Sequence, residues 1–454
     1  MPVETLHPDY ERHEKKARRV RDAVEGSDAI KRRGTEYLPS PDPDDPERYA
    51  NYKMRALWLG VTKRTHDGML GAVFRKKPEA ELPSVIEYMR DDADGSGMSL
   101  TQFARGAVSD TAINGIHGVL VDYPEAEDGL TREQAQGLQA TLRAYPSPSI
   151  TNWRRDGEQL ALVVLLEHYD EPVDEFQVNQ EKQYRVLSLD DQGYYVQRVF
   201  RHNEEVSRSE PRMANGERWP FIPFQFIGAS NNDEHPDNPL LLDIADVNIA
   251  HYRNSADLEE ASFIVGQPMF HVDVGETSTQ EWNDLNPNGV TVGARRGIQT
   301  KNGSVSLVQA EERNLPLKLM EQKEAQMLAI GAKLIEQRGG NEREEAVRAR
   351  TGAENANLST LADNVSDALE NCLEWAALFM TSADVFDDIT FRLNQEFYEQ
   401  GADPQMVMAR IQEVDRGLIA KADYRAWRRK TGGIDPDRTD EEIDAEVQTG
   451  GLEL

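Results

Sequence analysis

WPFIPFQFIGASNNDEHPDNPLLLDIADVNIAHYRNSADLEEASFIVGQPMFHV, from Trp219 to Val272, is the stretch whose reading decides the fold. FIPFQFIG is a β-rich run, and the Asn, Asp and Pro that follow mark a turn. Pro239 then opens a helix at a position where proline's missing N–H costs nothing. The helix runs to about Val265, roughly 25 residues or ~38 Å, and Gly266 and Pro268 stop it. Its faces are mixed. Leu241, Ile244, Ala245 and Ile249 are apolar, whereas Asn248, His251, Ser255, Glu259 and Ser262 are not. So few strong apolar residues per turn predict little gain from an intrachain core. The expectation is a helix that touches other copies of the chain through small and polar side chains.

Toward the C-terminus, Met269 to about Arg313 reads as an independent α+β insert. VTVG, GIQTKNG and SVSLV supply short strands with Gly turns, and TSTQEWNDLNP supplies a short capped helix. A second helix is predicted from Pro316 to Gln337, with Leu317, Met320, Met327, Leu328, Gly331, Leu334 and Ile335 buried or half-buried. RGGNEREEAVRAR, Arg338 to Arg350, is a polar, glycine-started loop. Gly352 to Met380 carries the cleanest helical period: Leu358, Leu361, Val365, Leu369, Cys372, Ala376 and Phe379. A strand-like run from Phe386 to Asn394, a helix through Met406 and Ile411, a helix from Ala422 to Lys430 and an acidic tail from Asp435 complete the chain.

Toward the N-terminus, Pro8 to Arg33 reads as a basic helix with interleaved acids. Two readings stay open: a solvated helix with i,i+4 pairs, or a surface for a partner or nucleic acid. PSPDPDDPERY (Pro39 to Tyr49) is a linker, and Tyr49 to Phe74 reads as one helix. Ser99 caps a helix through Ile116, and Gly118 to Asp122 is a short buried strand. From Ile150 to Phe226 the signal is β, with a hairpin turn at Asp190 to Gly193.

The 454 residues suit two or three domains or one elongated, lobed subunit. Formal net charge is −30, from 51 basic and 81 acidic residues. Tight phosphate binding needs excess Lys and Arg, so a single copy would hold duplex DNA poorly. Cys372 is the only cysteine, which excludes an intrachain disulfide and a Cys-cluster zinc site. It falls on an apolar helix face, where inert packing is expected. MPVETLHPDYERHEKK holds no apolar signal core, and the longest apolar run, LALVVLL, is too short to span a bilayer. A soluble chain in a reducing compartment, without membrane contact, is expected.

No catalytic constellation stands out. GARRGIQTK lacks the Walker A spacing, and neither HExxH nor GxSxG occurs. His235, Asp237 and Asp243 suggest a metal site on residue types, but turn formation explains Asp and Asn there. A two-metal nuclease is the enzymatic alternative, and it lacks a compact D…ExK set. Aromatic residues are not interleaved with basic ones, which argues against a single-strand stacking platform. We expect no enzyme, no cofactor and no metal.

At IPFQFIGASNN followed by LLLDIADVNIAHYRNSADLEE, and in the order of elements after it, the chain resembles the portal proteins of tailed bacteriophages. The resemblance implies an α+β fold: a mainly helical, elongated subunit with a β-rich wing lobe, paired stem helices around a small α/β clip, a long spine helix and a helical crown. Mapped onto this sequence it implies an N-terminal basic helix and linker over 1–48, a wing over 49–238 and a first stem helix over 239–265. The clip then takes 266–314, the second stem helix 315–337, the tunnel loop 338–350, the spine 351–380, and the crown with its acidic tail 381–454. It also implies a non-enzymatic ring, generally of twelve copies, at one capsid vertex of the virion, assembled in the host cytoplasm. Double-stranded DNA passes through without sequence readout. Terminase, the major capsid or scaffold protein and a head–tail adaptor are the implied partners. Another virion component, an adaptor or scaffold, is the structural alternative.

Geometry agrees with this. If one ~10 Å helix per copy lines the bore, about twelve copies leave a free bore of ~28 Å, wide enough for a double helix, and about six leave only ~9 Å. Twelve copies would carry about −360, a wall that repels phosphate and keeps DNA mobile. Arg338, Arg343, Arg348 and Arg350 are the candidate tunnel-loop contacts to DNA, with salt bridges between subunits to Glu342, Glu344 and Glu345 as the other role. Arg295, Arg296 and Lys301 would face the bore or a docking partner from the clip.

Overall fold

The structure, a computed structural model, describes residues 2–123, 138–266, 269–287, 302–308, 315–331, 344–395, 397, 404–430, 433–435 and 438–444. The chain folds as α+β, as expected.

Pro8 sits in the first turn of α1 (Pro8–Glu25), and the His7 imidazole accepts from the Asp9 N–H. Gly26, at φ +109°, separates α1 from α2 (Ser27–Arg32). This region is not a freely solvated basic surface. Ala17, Val20 and Ala23 are buried, and the arginines pair within the chain: Arg18 with Glu36, Arg19 with Asp246, Arg21 with Glu14, Arg33 with Asp22. None of these four pairs has i,i+4 spacing. Charge here ties segments together.

The helix expected over 49–74 is two helices, α3 (Pro46–Arg55) and α4 (Val61–Val73). Residues 56–60 between them run non-helically because their backbone groups find partners elsewhere, as described below. β1 (Glu79–Glu81) precedes α5 (Leu100–Asn114), which begins with a Ser99/Gln102 capping box. α5 ends at Asn114, two residues before the expected Ile116, with Gly115 as its cap, because Ile116 already belongs to β2 (Ile116–Asp122). Gly115 has φ +76°, and a Cβ there would lie 2.0 Å from the Asp237 carbonyl oxygen. Only glycine fits that corner.

β2 is buried along its whole length and lies between β3 (Thr141–Pro146) and β9 (Phe224–Gly228), both antiparallel to it. The second sheet is a five-stranded antiparallel meander: β4 (Ile150–Asp156), β5 (Gln159–Pro172), β6 (Val178–Leu189), β7 (Tyr195–Arg201) and β8 (Glu204–Ser209). The turn at Asp190 to Gly193 joins β6 to β7, with Gly193 at φ +84° and the Asp190 carboxylate accepting from the Gln192 and Tyr194 N–H groups.

α6 (Leu242–Val265) starts three residues after Pro239, which forms the turn before it by accepting from the Leu242 N–H. β10 (Met269–Asp273), α7 (Thr279–Leu285) and β11 (Ser304–Val308) follow, then α8 (Leu315–Gly331) and α9 (Glu344–Met380). β12 (Thr390–Arg392) pairs with β1, and α10 (Pro404–Asp415) and α11 (Lys421–Lys430) close the chain.

The main core lies where α5 and α9 cover the three-stranded sheet. Leu361, Val365, Leu369, Cys372 and Ala376 of α9 are fully buried, each Leu contributing about 1.5–3 kcal/mol of transfer free energy. The WPF at Trp219 to Phe221 anchors the end of α9. Trp219 lies 4.5 Å from Phe379 between ring centroids, and Phe221 5.5 Å from Trp375. A smaller core joins Ile30, Tyr37, Leu38 and Tyr52 to Ile249, Tyr252 and Ala256 of α6. Among the described residues no helix is long and apolar enough to cross a membrane.

Candidate assembly surface: the paired helices and the lobe between their ends

α6 and α8 lie side by side and antiparallel. Ile244 touches Gly331, His251 meets Glu324 and Asn254 meets Lys323, so residue numbers fall on one helix as they rise on the other. At 24 and 17 residues the helices are about 36 and 26 Å long. A Cβ on Gly331 would sit 2.7 Å from both Ile244 Cδ1 and Thr65 Oγ1, so glycine lets α8 approach α6 and α4 closely at this end.

The polar face of α6 corrects a sequence expectation. Asn248, His251 and Ser255 do not point toward other copies; all three are buried within this chain. Asn248 Nδ2 donates to the Leu59 carbonyl (2.8 Å), and Asn248 Oδ1 accepts from the Thr62 hydroxyl (3.0 Å) and N–H (3.3 Å). Ser255 Oγ donates to the Leu57 carbonyl (2.8 Å) and accepts from the Leu57 N–H (3.1 Å). These side chains satisfy backbone groups of Leu57 and Leu59, which lowers the desolvation cost of leaving the helix there. His251 Nε2 lies 3.1 Å from Glu324 Oε1 across the helix pair. Burial raises the pKa of Asp246 above the ordinary carboxylate range, against the opposing pull of Arg19 2.8 Å away.

Toward the other end of the pair, support from the rest of the chain thins. Glu260 takes Arg48 (3.3 Å) and Arg55, and the Arg55 guanidinium stacks over Phe263 at 4.3 Å. They border an open cleft of about 420 Å³ floored by Phe263 and Ile264. Both are nearly half exposed, and Leu315 is 65% exposed and Leu317 42%; nearer the Gly331 end, Leu328 is 55% exposed. In α8 only Met327 and Gly331 are buried. A helix with that much uncovered leucine is poorly served by its own chain.

A small lobe sits between the ends of the pair. β10 and β11 are antiparallel from Met269↔Val308 to Asp273↔Ser304, and α7 carries a Ser278/Glu281 capping box. The short strand at SVSLV and the capped helix at TSTQEWNDLNP match expectation; VTVG and most of GIQTKNG lie outside the described residues.

The arginines and lysine singled out from sequence are not brought together by any described contact. Arg295, Arg296, Lys301, Arg338 and Arg343 lie outside the described residues. Arg348 and Arg350 lie on α9, whose side chains up to 356 are outside the description. The stretch 344–350, expected as loop, is helical, so α9 begins well before the expected Gly352. The expected helix over 316–337 is described only as far as Gly331.

His235 and Asp237 serve the turn reading, whereas Asp243 lies in the first turn of α6. Asp237 Oδ2 accepts from the Ser230 N–H (2.7 Å), and the His235 N–H donates to Asp233 (2.8 Å). Among the described residues no three His, Cys, Asp or Glu side chains gather as a metal site would. Ser109, His66 and Asp67 do form a short polar chain, with His66 Nε2 2.9 Å from Ser109 Oγ and Nδ1 3.3 Å from Asp67. His66 is buried on α4 against α5, and burial lowers its pKa. Sequence reasoning missed the intrachain role of Asn248, His251 and Ser255, although their i, i+3, i+7 spacing was visible as one polar stripe.

Residues 239–380 match a family described as Domain of unknown function (DUF4055). No curated protein matches the chain. Among solved structures, the chain is similar to a chain of "Virion of native gene transfer agent (GTA) particle", at 11% identity and TM-score 0.42, covering 87% of this chain and 97% of that one. It is also similar to a chain of "Neck of native GTA particle computed with C12 symmetry", at 14% identity and TM-score 0.40, covering 81% and 89%. A chain of "Neck of empty GTA particle computed with C6 symmetry" is similar at 12% identity and TM-score 0.42, with the same coverages.

Proposed function

We propose that this chain is a portal subunit. About twelve copies close into a ring at one capsid vertex of a virion, and duplex DNA enters and leaves through the hole. The chain performs no catalysis of its own. Terminase, and later head-completion proteins, dock on the lobe between the paired helices. The reading is supported above all by the antiparallel pair α6 and α8, which carries that lobe at one end and leaves Phe263, Ile264, Leu315 and Leu317 uncovered there. Side-by-side packing of copies would cover this surface with apolar neighbours. The net charge of −30 suits a passage that must not hold its cargo. The test is the mass of the purified chain by native mass spectrometry, with negative-stain imaging. A species near twelve times 51.2 kDa, seen as an annulus, is expected. Single copies only, even beside the capsid proteins, would end the proposal.

A further inference from the structure

α11, KADYRAWRRK, carries five basic residues in ten, with Tyr424 and Trp427 among them. Lys421, Arg425, Arg428 and Arg429 stand at i, i+4, i+7 and i+8, a single stripe about 12 Å long. A stripe of basic side chains on one helix face suits the phosphate backbone of a nucleic acid. In this chain two arginines of the stripe, Arg425 and Arg429, are already taken. The segment 438–444 folds back along α11 as a helical turn with reciprocal Thr439 and Glu442 caps. Its carboxylates take the arginines: Asp444 pairs with Arg425, and Asp440 pairs with Arg429 and stands 3.8 Å from Arg425. Ile443 seats the segment in an apolar cleft with Ile411, Val414, Tyr424 and Ile434.

We propose that the basic face of α11 is a binding site for the backbone of duplex DNA, held shut by the acidic segment 438–444, whose carboxylates stand where phosphates would. The site goes beyond the ring reading. It belongs to one copy of the chain, and its test does not depend on how many copies assemble.

The assay is fluorescence anisotropy of a labelled 25-base-pair duplex of arbitrary sequence against the full chain, across salt concentrations. Asp440→Asn with Asp444→Asn should tighten binding at least tenfold at low salt. It should also steepen the fall of log K with log salt by up to about 1.8, for two added phosphate contacts. Arg425→Ala with Arg429→Ala in that background should remove the gain. Ile443→Asp, which unseats the segment without touching an ion pair, should reproduce the gain, and it keeps the test decisive if the double Asn variant folds poorly. Asp384→Asn with Asp388→Asn makes the same change in net charge away from α11 and should leave binding as in the parent. The proposal is overturned if unmasked and charge-control variants bind alike, or if the gain survives loss of both arginines.

Discussion

Replacing Asn248 by Leu tests whether the polar stripe of α6 works within one chain or between copies. The side chains are close in size, so packing changes little and the cost is polar. Asn248 Oδ1 is the acceptor for both the Thr62 N–H and the Thr62 hydroxyl, and Thr62 lies in the first turn of α4, where the N–H has no partner inside the helix. Losing Asn248 strands both donors in a fully buried site. The Leu59 carbonyl also loses a donor but keeps the Val61 N–H. Each stranded group costs about 1–3 kcal/mol, and the hydroxyl can recover part by turning toward a backbone carbonyl. Added apolar burial returns up to about 1 kcal/mol. The net expectation is a loss of about 2–4 kcal/mol. Urea unfolding followed by circular dichroism, at two chain concentrations tenfold apart, should show the same loss at both. If the variant unfolds like the parent while ring assembly fails, the stripe acts between copies and not within one chain.

Gly115→Ala should cost on the order of 3 kcal/mol in thermal unfolding, from a left-handed backbone joined to a clash with the Asp237 carbonyl. Burial by itself pushes the Glu167 carboxyl up, but hydrogen bonds from Arg185 (2.6 and 3.2 Å), Tyr145 (2.5 Å) and Gln183 (2.8 Å) outweigh it and hold the group below the usual range. Its contribution is therefore present above the unfolded carboxyl pKa and lost as pH falls through the folded one. Glu167→Gln should destabilise by about 3 kcal/mol at neutral pH, and the gap should narrow on acidification in stability–pH curves. Cys372 is fully buried and burial pushes its thiol far up, so a thiol-specific reagent should label it only after denaturation. Alanine at Arg338, Arg343, Arg348 and Arg350 should leave rings intact and reduce packaged DNA; unchanged packaging would reject those contacts.

Strong local signals were legible. The apolar period of α9, the Ser99 N-cap, the Asp190 to Gly193 turn and the buried strand ending at Asp122 all rest on residues a few positions apart, where side-chain spacing and turn chemistry act alone. Less legible was any boundary set by distant partners. ALWLG at 56–60 sits inside a helical pattern, and only Asn248 and Ser255, nearly two hundred residues away, make leaving the helix favourable there.

The sequence by itself determined the order of elements, the apolar faces and the excess of acid over base, because period, caps and charge are properties of neighbours along the chain. Only the tertiary structure decided which polar residues are interior. A side chain such as Asn248 or Arg21 has no fixed destination until a buried backbone group or an opposite charge is brought beside it, and the chain pattern does not say which distant segment will supply it.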